Sequence, residues 1–232
     1  MPTRRPDLDL GDRAWEVLEQ LHREVPSAIV IGGWAAYLRL RVQKSHDIDL
    51  IVDMAGMAAL QRNYQLEPRG HLAGRKYKMT VRDIGVDVYA AYQSELGQRL
   101  RLPVEALLSH VEVVDGHRTL SPESLFVAKM AALLDRPDTL PGTKDRADMW
   151  ALLRHQAAGW NADTVAAVMR HTQLTPEAQP ALLAEAMSYL GEHSGLTRAD
   201  KELLRRVRKE MSSAMEKTRP INDRGGPEHE RL

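Results

Sequence analysis

A chain of 232 residues has room for one sizeable domain or two small ones, and its 32 Lys plus Arg against 32 Asp plus Glu give no overall charge to draw it to a polyanion. It contains no cysteine, which excludes disulfides, thiolate metal sites and a cysteine nucleophile. No apolar run is long enough to cross a bilayer and the first ten residues lack a signal-like apolar segment, so a soluble cytoplasmic protein without a membrane partner is expected.

Met1 to Asp9, with two prolines and several charges, reads as a loose arm. Asp12 is placed to cap a helix running to about Glu24, with Trp15, Leu18 and Leu21 on its apolar stripe. Pro26 leads into a strand, Ile29-Val30-Ile31, that stops at Gly32-Gly33. A helix follows through Arg41, then a second strand from Ile48 to Val52. Alternation along that strand puts Asp47 and Asp49 on one face. Two carboxylates there repel unless a cation sits between them, and a hard divalent ion, Mg²⁺ or Mn²⁺, suits oxygen ligands. Gly32 and Gly33 permit close approach of a ligand to the backbone, and the helix behind them offers free N–H groups to a phosphate.

A helix is expected from about Gly56 to Tyr64, a loop from Leu66 to Gly74, and a strand with a basic side over Arg75 to Val81. After a turn, Val86 to Tyr89 forms the next strand, with Asp87 and Tyr89 on one face. A hairpin laid beside the Asp47 strand brings Asp87 towards the same site; Asp83 is explained by its turn. Ser94 to Leu108 is mixed. Val111 to Leu120 reads as a hairpin about Asp115-Gly116.

From Ser121 the pattern turns helical. Ser121-Pro122-Glu123 starts a helix to about Leu134. Lys129 lies on its apolar face among Leu125, Phe126, Met130 and Leu133, either snorkelling or aimed at an anion. After a loop from Arg136 to Gly142, Asp145 and Asp148 share one helix face; as helix-start acids they would also suit the dipole. Helices follow over Asn161 or Ala162 to His171, Pro176 to Leu190 and Thr197 to about Lys217. The basic last helix suits either RNA phosphate or a solvated face with internal ion pairs. The nine histidines show no metal-ligand spacing, and His46 is either a neighbour of the acid pair or a residue facing away.

Gly32-Gly33, a spacer, then Asp47-Ile48-Asp49 resembles the signature of the polymerase-β-like nucleotidyltransferase superfamily. That resemblance implies an α+β fold: a small mixed nucleotidyltransferase sheet with flanking helices, followed by an all-helical C-terminal region. The expected division is a flexible arm (1–10), a nucleotidyltransferase core (11–120), a helical C-terminal domain (121–219) and a disordered tail (220–232). It implies metal at Asp47, Asp49 and Asp87, with Asp87 orienting or deprotonating the attacking hydroxyl. Lys129, then Lys144-Asp145-x-x-Asp148, resembles the AbiEii/AbiGii nucleotidyltransferase toxins of type IV toxin–antitoxin pairs and their MenT relatives, although that branch often has Gly-Ser at the turn. Gly32, Gly33, Lys129, Asp145 and Asp148 then hold the NTP, an RNA such as a tRNA 3′ end accepts the nucleotide, and a cognate antitoxin is a partner. Gly32-Gly33-Trp34-Ala35 with the Asp47-Ile48-Asp49-Leu50 strand also resembles antibiotic nucleotidyltransferases of the aminoglycoside and lincosamide type. A nucleotide-binding or interaction module without catalysis is the remaining alternative.

Overall fold

The computed structural model describes residues 8–69, 76–175 and 177–217. The fold is α+β, a seven-stranded mixed sheet with helices on both faces. Helix α1 (Leu8–Glu24) leads into β1 (Ile29–Ile31), α2 (Gly32–Leu40), β2 (Ile48–Val52) and α3 (Met54–Asn63). Then come β3 (Glu67–Pro68), β4 (Tyr77–Val81), β5 (Ile84–Ala90), β6 (Glu95–Leu96), β7 (Leu102–Pro103), a 3₁₀ turn (Val104–Leu107), β8 (Val111–Val114) and β9 (His117–Leu120). The rest is helical: α4 (Pro122–Asp135), α5 (Leu140–His155), α6 (Ala162–Met169), α7 (Ala178–Gly191) and α8 (Arg198–Lys217).

The strand order is β3-β4-β5-β2-β1-β9-β8, with β6 and β7 paired separately. β2 runs antiparallel to β1 but parallel to β5, and β1 runs parallel to β9. Alternation along the central strands divides the core into two. Val30, Leu50, Val52, Val86 and Val88 face Leu18 and Leu21 of α1, Trp34 of α2 and Leu60 of α3. Ile29, Ile31, Ile51 and Tyr89 face the other way, into the layer built by α4 to α8 around Phe126, Met149, Trp150 and Met211. Asp49 and Asp87 occur at positions of this second face.

Several boundaries differ from the sequence reading. α1 begins at Leu8, so Asp12 lies inside it and pairs with Lys44 instead of capping. The first turn is held because half-buried Leu10 packs on the α1 layer. α3 begins at Met54, with the Asp53 side chain accepting the Gly56 N–H at 2.7 Å as its cap. Part of the expected 66–74 loop pairs as β3, while the strand start at Arg75 lies outside the described residues. So do the arm through residue 7 and the tail after 217. α5 begins at Leu140, capped by Thr139, within the expected loop. Its first turn packs on the end of α4: a Cβ at Gly142 would lie 1.9 Å from the Arg136 carbonyl oxygen. Ser121 and Asn161 cap α4 and α6, their side chains accepting the Ser124 N–H and the Asp163 and Thr164 N–H groups.

Candidate active site

The β1–α2 turn, the start of β2, the Asp87–Tyr89 face of β5 and the facing sides of α4 and α5 enclose a cleft of about 1220 Å³. Its floor is Gly32. This residue has φ +66°, a left-handed conformation that suits glycine, and a Cβ added there would meet the Asp49 Oδ2 at 2.1 Å. Backbone and carboxylate are therefore in close contact, and the turn admits no side chain. α2 starts here without a side-chain cap, so its first N–H groups carry no such partner.

Asp47 and Asp49 both line the cleft. The Ser45 hydroxyl donates to Asp47 Oδ1 at 2.7 Å, and Lys144 Nζ donates to the same Ser45 oxygen at 3.1 Å. Burial and then the neighbouring charge of Asp47 push the Asp49 carboxyl up from 3.8 to about 7; Lys76 and Lys129 pull the other way, and Asp87 pushes with Asp47. The parallel register sets Asp87 directly beside Asp49. Its carboxylate is engaged by Lys76, with Arg69 at 3.9 Å. The Lys76 ammonium also lies over the Tyr89 ring, 5.5 Å from its centroid. Burial, reinforced by Asp49 and Asp87, holds the Tyr89 phenol protonated well above its ordinary range.

Lys129 is 5% exposed, so it does not snorkel. Its ammonium meets Asp145 at 3.1 Å and Asp148 at 2.7 Å, while Arg136 closes on the other Asp145 oxygen at 2.7 Å. Burial lowers the Lys129 pKa, and the Asp148 and Asp145 carboxylates more than offset it, leaving the amine charged. Because α5 starts early, Asp145 belongs to its second turn and not to its start. Lys129 and Asp145 line the cleft; Asp148 is buried behind them. His46 is exposed at the cleft wall.

The structure thus brings Gly32, Gly33, Asp47, Asp49, Asp87, Lys129 and Asp145 to one cleft. Asp87 is tied to a lysine, and among the described residues no three His, Cys, Asp or Glu side chains are gathered closely enough to hold a metal ion by themselves. Sequence reasoning missed Ser45, Lys76, Arg136 and Lys144. Two signals were available: the basic side of the strand ending at Val81, and Ser45 two residues before the first acid. The contacts of Arg136 and Lys144 depend on how α4 and α5 cross.

No protein-family model matches this chain, and no curated protein sequence does. Among solved structures, a candidate nucleotidyltransferase from H. pylori is similar with a TM-score of 0.44 and 13% identity, over 93% of this chain and 97% of that one. An antigenic nucleotidyltransferase-like protein from Paracoccidioides brasiliensis gives 0.38 and 13%, over 90% and 93%. The STING-associated CdnE c-di-GMP synthase from Capnocytophaga granulosa gives 0.31 and 12%, over 91% and 82%. With so few residues shared, no residue role passes from these proteins to this chain.

Proposed function

We propose that the chain transfers a nucleoside monophosphate from an NTP to an acceptor hydroxyl. One observation carries this reading: the Asp49 carboxylate is packed against Gly32 at an uncapped helix start, with Asp47 before it and Asp87 beside it in register. Negative side chains and an anion-binding backbone at one point make sense together when a cation lies between them. The donor set fits Mg²⁺ or Mn²⁺, since Asp47 and Asp49 supply hard oxygens and Asp49 is short of positive charge. Two carboxylates suffice where phosphate oxygens and water complete the shell, as Mg²⁺ prefers. Held there, the ion would polarise the α-phosphate and offset the charge of departing pyrophosphate.

The protein's own groups then divide the reaction. The Gly32-Gly33 backbone seats the phosphates. The acceptor oxygen attacks the α-phosphorus, the bond from that phosphorus to the bridging oxygen breaks, and the acceptor proton passes to Asp87. The Lys129 charge, fixed by Asp145 and Asp148, offsets the charge that builds on the phosphates.

For the acceptor we favour RNA, with a tRNA 3′ end foremost, and a growth-arresting toxin paired with an antitoxin as the biological setting. The joined Lys129–Asp145 pair supports that choice, because these residues carry the likeness to the toxin branch. The test is incubation with each α-labelled NTP and total tRNA, with Mg²⁺ and then with EDTA. Label should enter RNA from at least one NTP with the metal and not with the chelator. No transfer to any RNA, with transfer to an aminoglycoside or lincosamide, would move the acceptor to small molecules. No turnover with either class would overturn the enzymatic reading.

A further inference from the structure

Among the described residues six lysines and arginines line the cleft, and five of them already hold a carboxylate: Lys44 holds Asp12, Arg69 and Lys76 hold Asp87, and Lys129 and Arg136 hold Asp145. Lys144 differs. Among the described residues it has no carboxylate within ion-pairing distance, and its one hydrogen bond is the donation to Ser45 at 3.1 Å. It is half-buried, so its charge is poorly hydrated without an ion partner. Its ammonium lies over the glycine turn, since a Cβ added to Gly33 would come within 3.0 Å of Lys144 Nζ and 2.6 Å of Ser45 Oγ.

We propose that Lys144 is a phosphate-binding residue that clamps the polyphosphate tail of the ligand against the Gly32-Gly33 backbone. This rests on the nucleotidyl-transfer reading and adds a contact supplied from α5, across the cleft from the sheet. The uncapped start of α2 points its N–H groups at the same space, so the anion would be held by backbone on one side and by Lys144 on the other. The Ser45 hydroxyl is oriented by both neighbours: it accepts from Lys144 and donates to Asp47. A phosphate that draws Lys144 towards itself leaves Ser45 free to turn wholly to Asp47, joining tail binding to the acid pair.

The experiment is calorimetric titration, in Mg²⁺ buffer, of α,β-methylene NTPs, the matching NMPs and inorganic tripolyphosphate. Wild type should bind at least one NTP analogue, with tripolyphosphate competing. Lys144→Gln should weaken the NTP analogue by about tenfold to a hundredfold, the loss of one charged hydrogen bond, and leave the NMP unchanged. Tripolyphosphate should then compete poorly. Lys144→Arg should retain most of the affinity. Equal loss for NTP and NMP, or full NTP affinity in Lys144→Gln, overturns the clamp while leaving nucleotidyl transfer standing. Failure of wild type to bind any NTP analogue overturns that reading and the clamp with it.

Discussion

The Asp49 carboxyl keeps its proton to about pH 7 because burial and the Asp47 charge disfavour ionisation. The native state then binds this proton more tightly than the unfolded chain, whose value is the ordinary 3.8. The metal-free protein should lose stability as pH rises from about 4 to 7, and the full penalty is present above that window. Asp49→Asn removes it. In EDTA the variant should melt with wild type near pH 4 and above it at pH 8, by about 2–4 °C for each kcal/mol relieved. A melting difference independent of pH would count against the strained carboxyl. Asp49→Asn should also abolish transfer. Glycine gives a second comparison at this scale. Gly116 also has positive φ, +83°, but open space around it, so Gly116→Ala should cost only the backbone term of about 1–2 kcal/mol. Gly32→Ala adds collision with Asp49 and should cost more in urea denaturation, with loss of turnover. Equal costs would mean that the turn and the acid are farther apart.

Helices α4 and α5 meet through a buried ion network. Lys129→Met leaves Asp145 and Asp148 deep in the structure without their shared cation, a change that typically costs about 3–5 kcal/mol. The sequence alone allowed the opposite outcome, a neutral or stabilising methionine on an apolar face. Lys129→Met should lower both stability and transfer, and adding Asp148→Asn should return part of the stability without the activity. Wild-type melting of the single variant would contradict the pairing. What was legible follows from local rules. Strand, glycine pair and helix were readable in Ile29 to Leu38, and the period of two put Asp47 with Asp49 and Asp87 with Tyr89. What was not legible depends on how elements cross. The partners of Lys129 lie on a second helix, whose start packs on the end of α4 at Gly142 and whose Asp145 and Asp148 face inward. Lys144 opens the Lys144-Asp145-x-x-Asp148 motif, yet its contact with Ser45 spans 99 residues.

The two apolar layers share one sheet, so neither is complete alone. Ile29, Ile31, Ile51 and Leu120 are covered by the helices that follow residue 121. A chain ending at residue 120 should therefore expose that face, bind a hydrophobic dye and lose its cooperative melt; a sharp melt would show that the sheet folds unaided. For the whole chain, Mg²⁺ with an NTP analogue at about 100 times Kd should add ~2.7 kcal/mol by mass action, less in Asp47→Ala, read as a shift in melting temperature. The place of β1 has a kinetic consequence. This three-residue strand is flanked by β2 and by β9, and Thr119 of β9 donates to the Val30 carbonyl across 89 residues of chain. Such non-local pairing slows folding, because a long loop must close before the contact rewards it. During synthesis the glycine turn leaves the ribosome early but gains its second flanking strand only after residue 120 has emerged. The acids on the sheet, Asp47, Asp49 and Asp87, come from the start of β2 and from β5, which pair directly, whereas Lys129 and Asp145 follow β9; a ribosome stalled after the sheet strand β5 but before α4 would carry every sheet acid without a finished site.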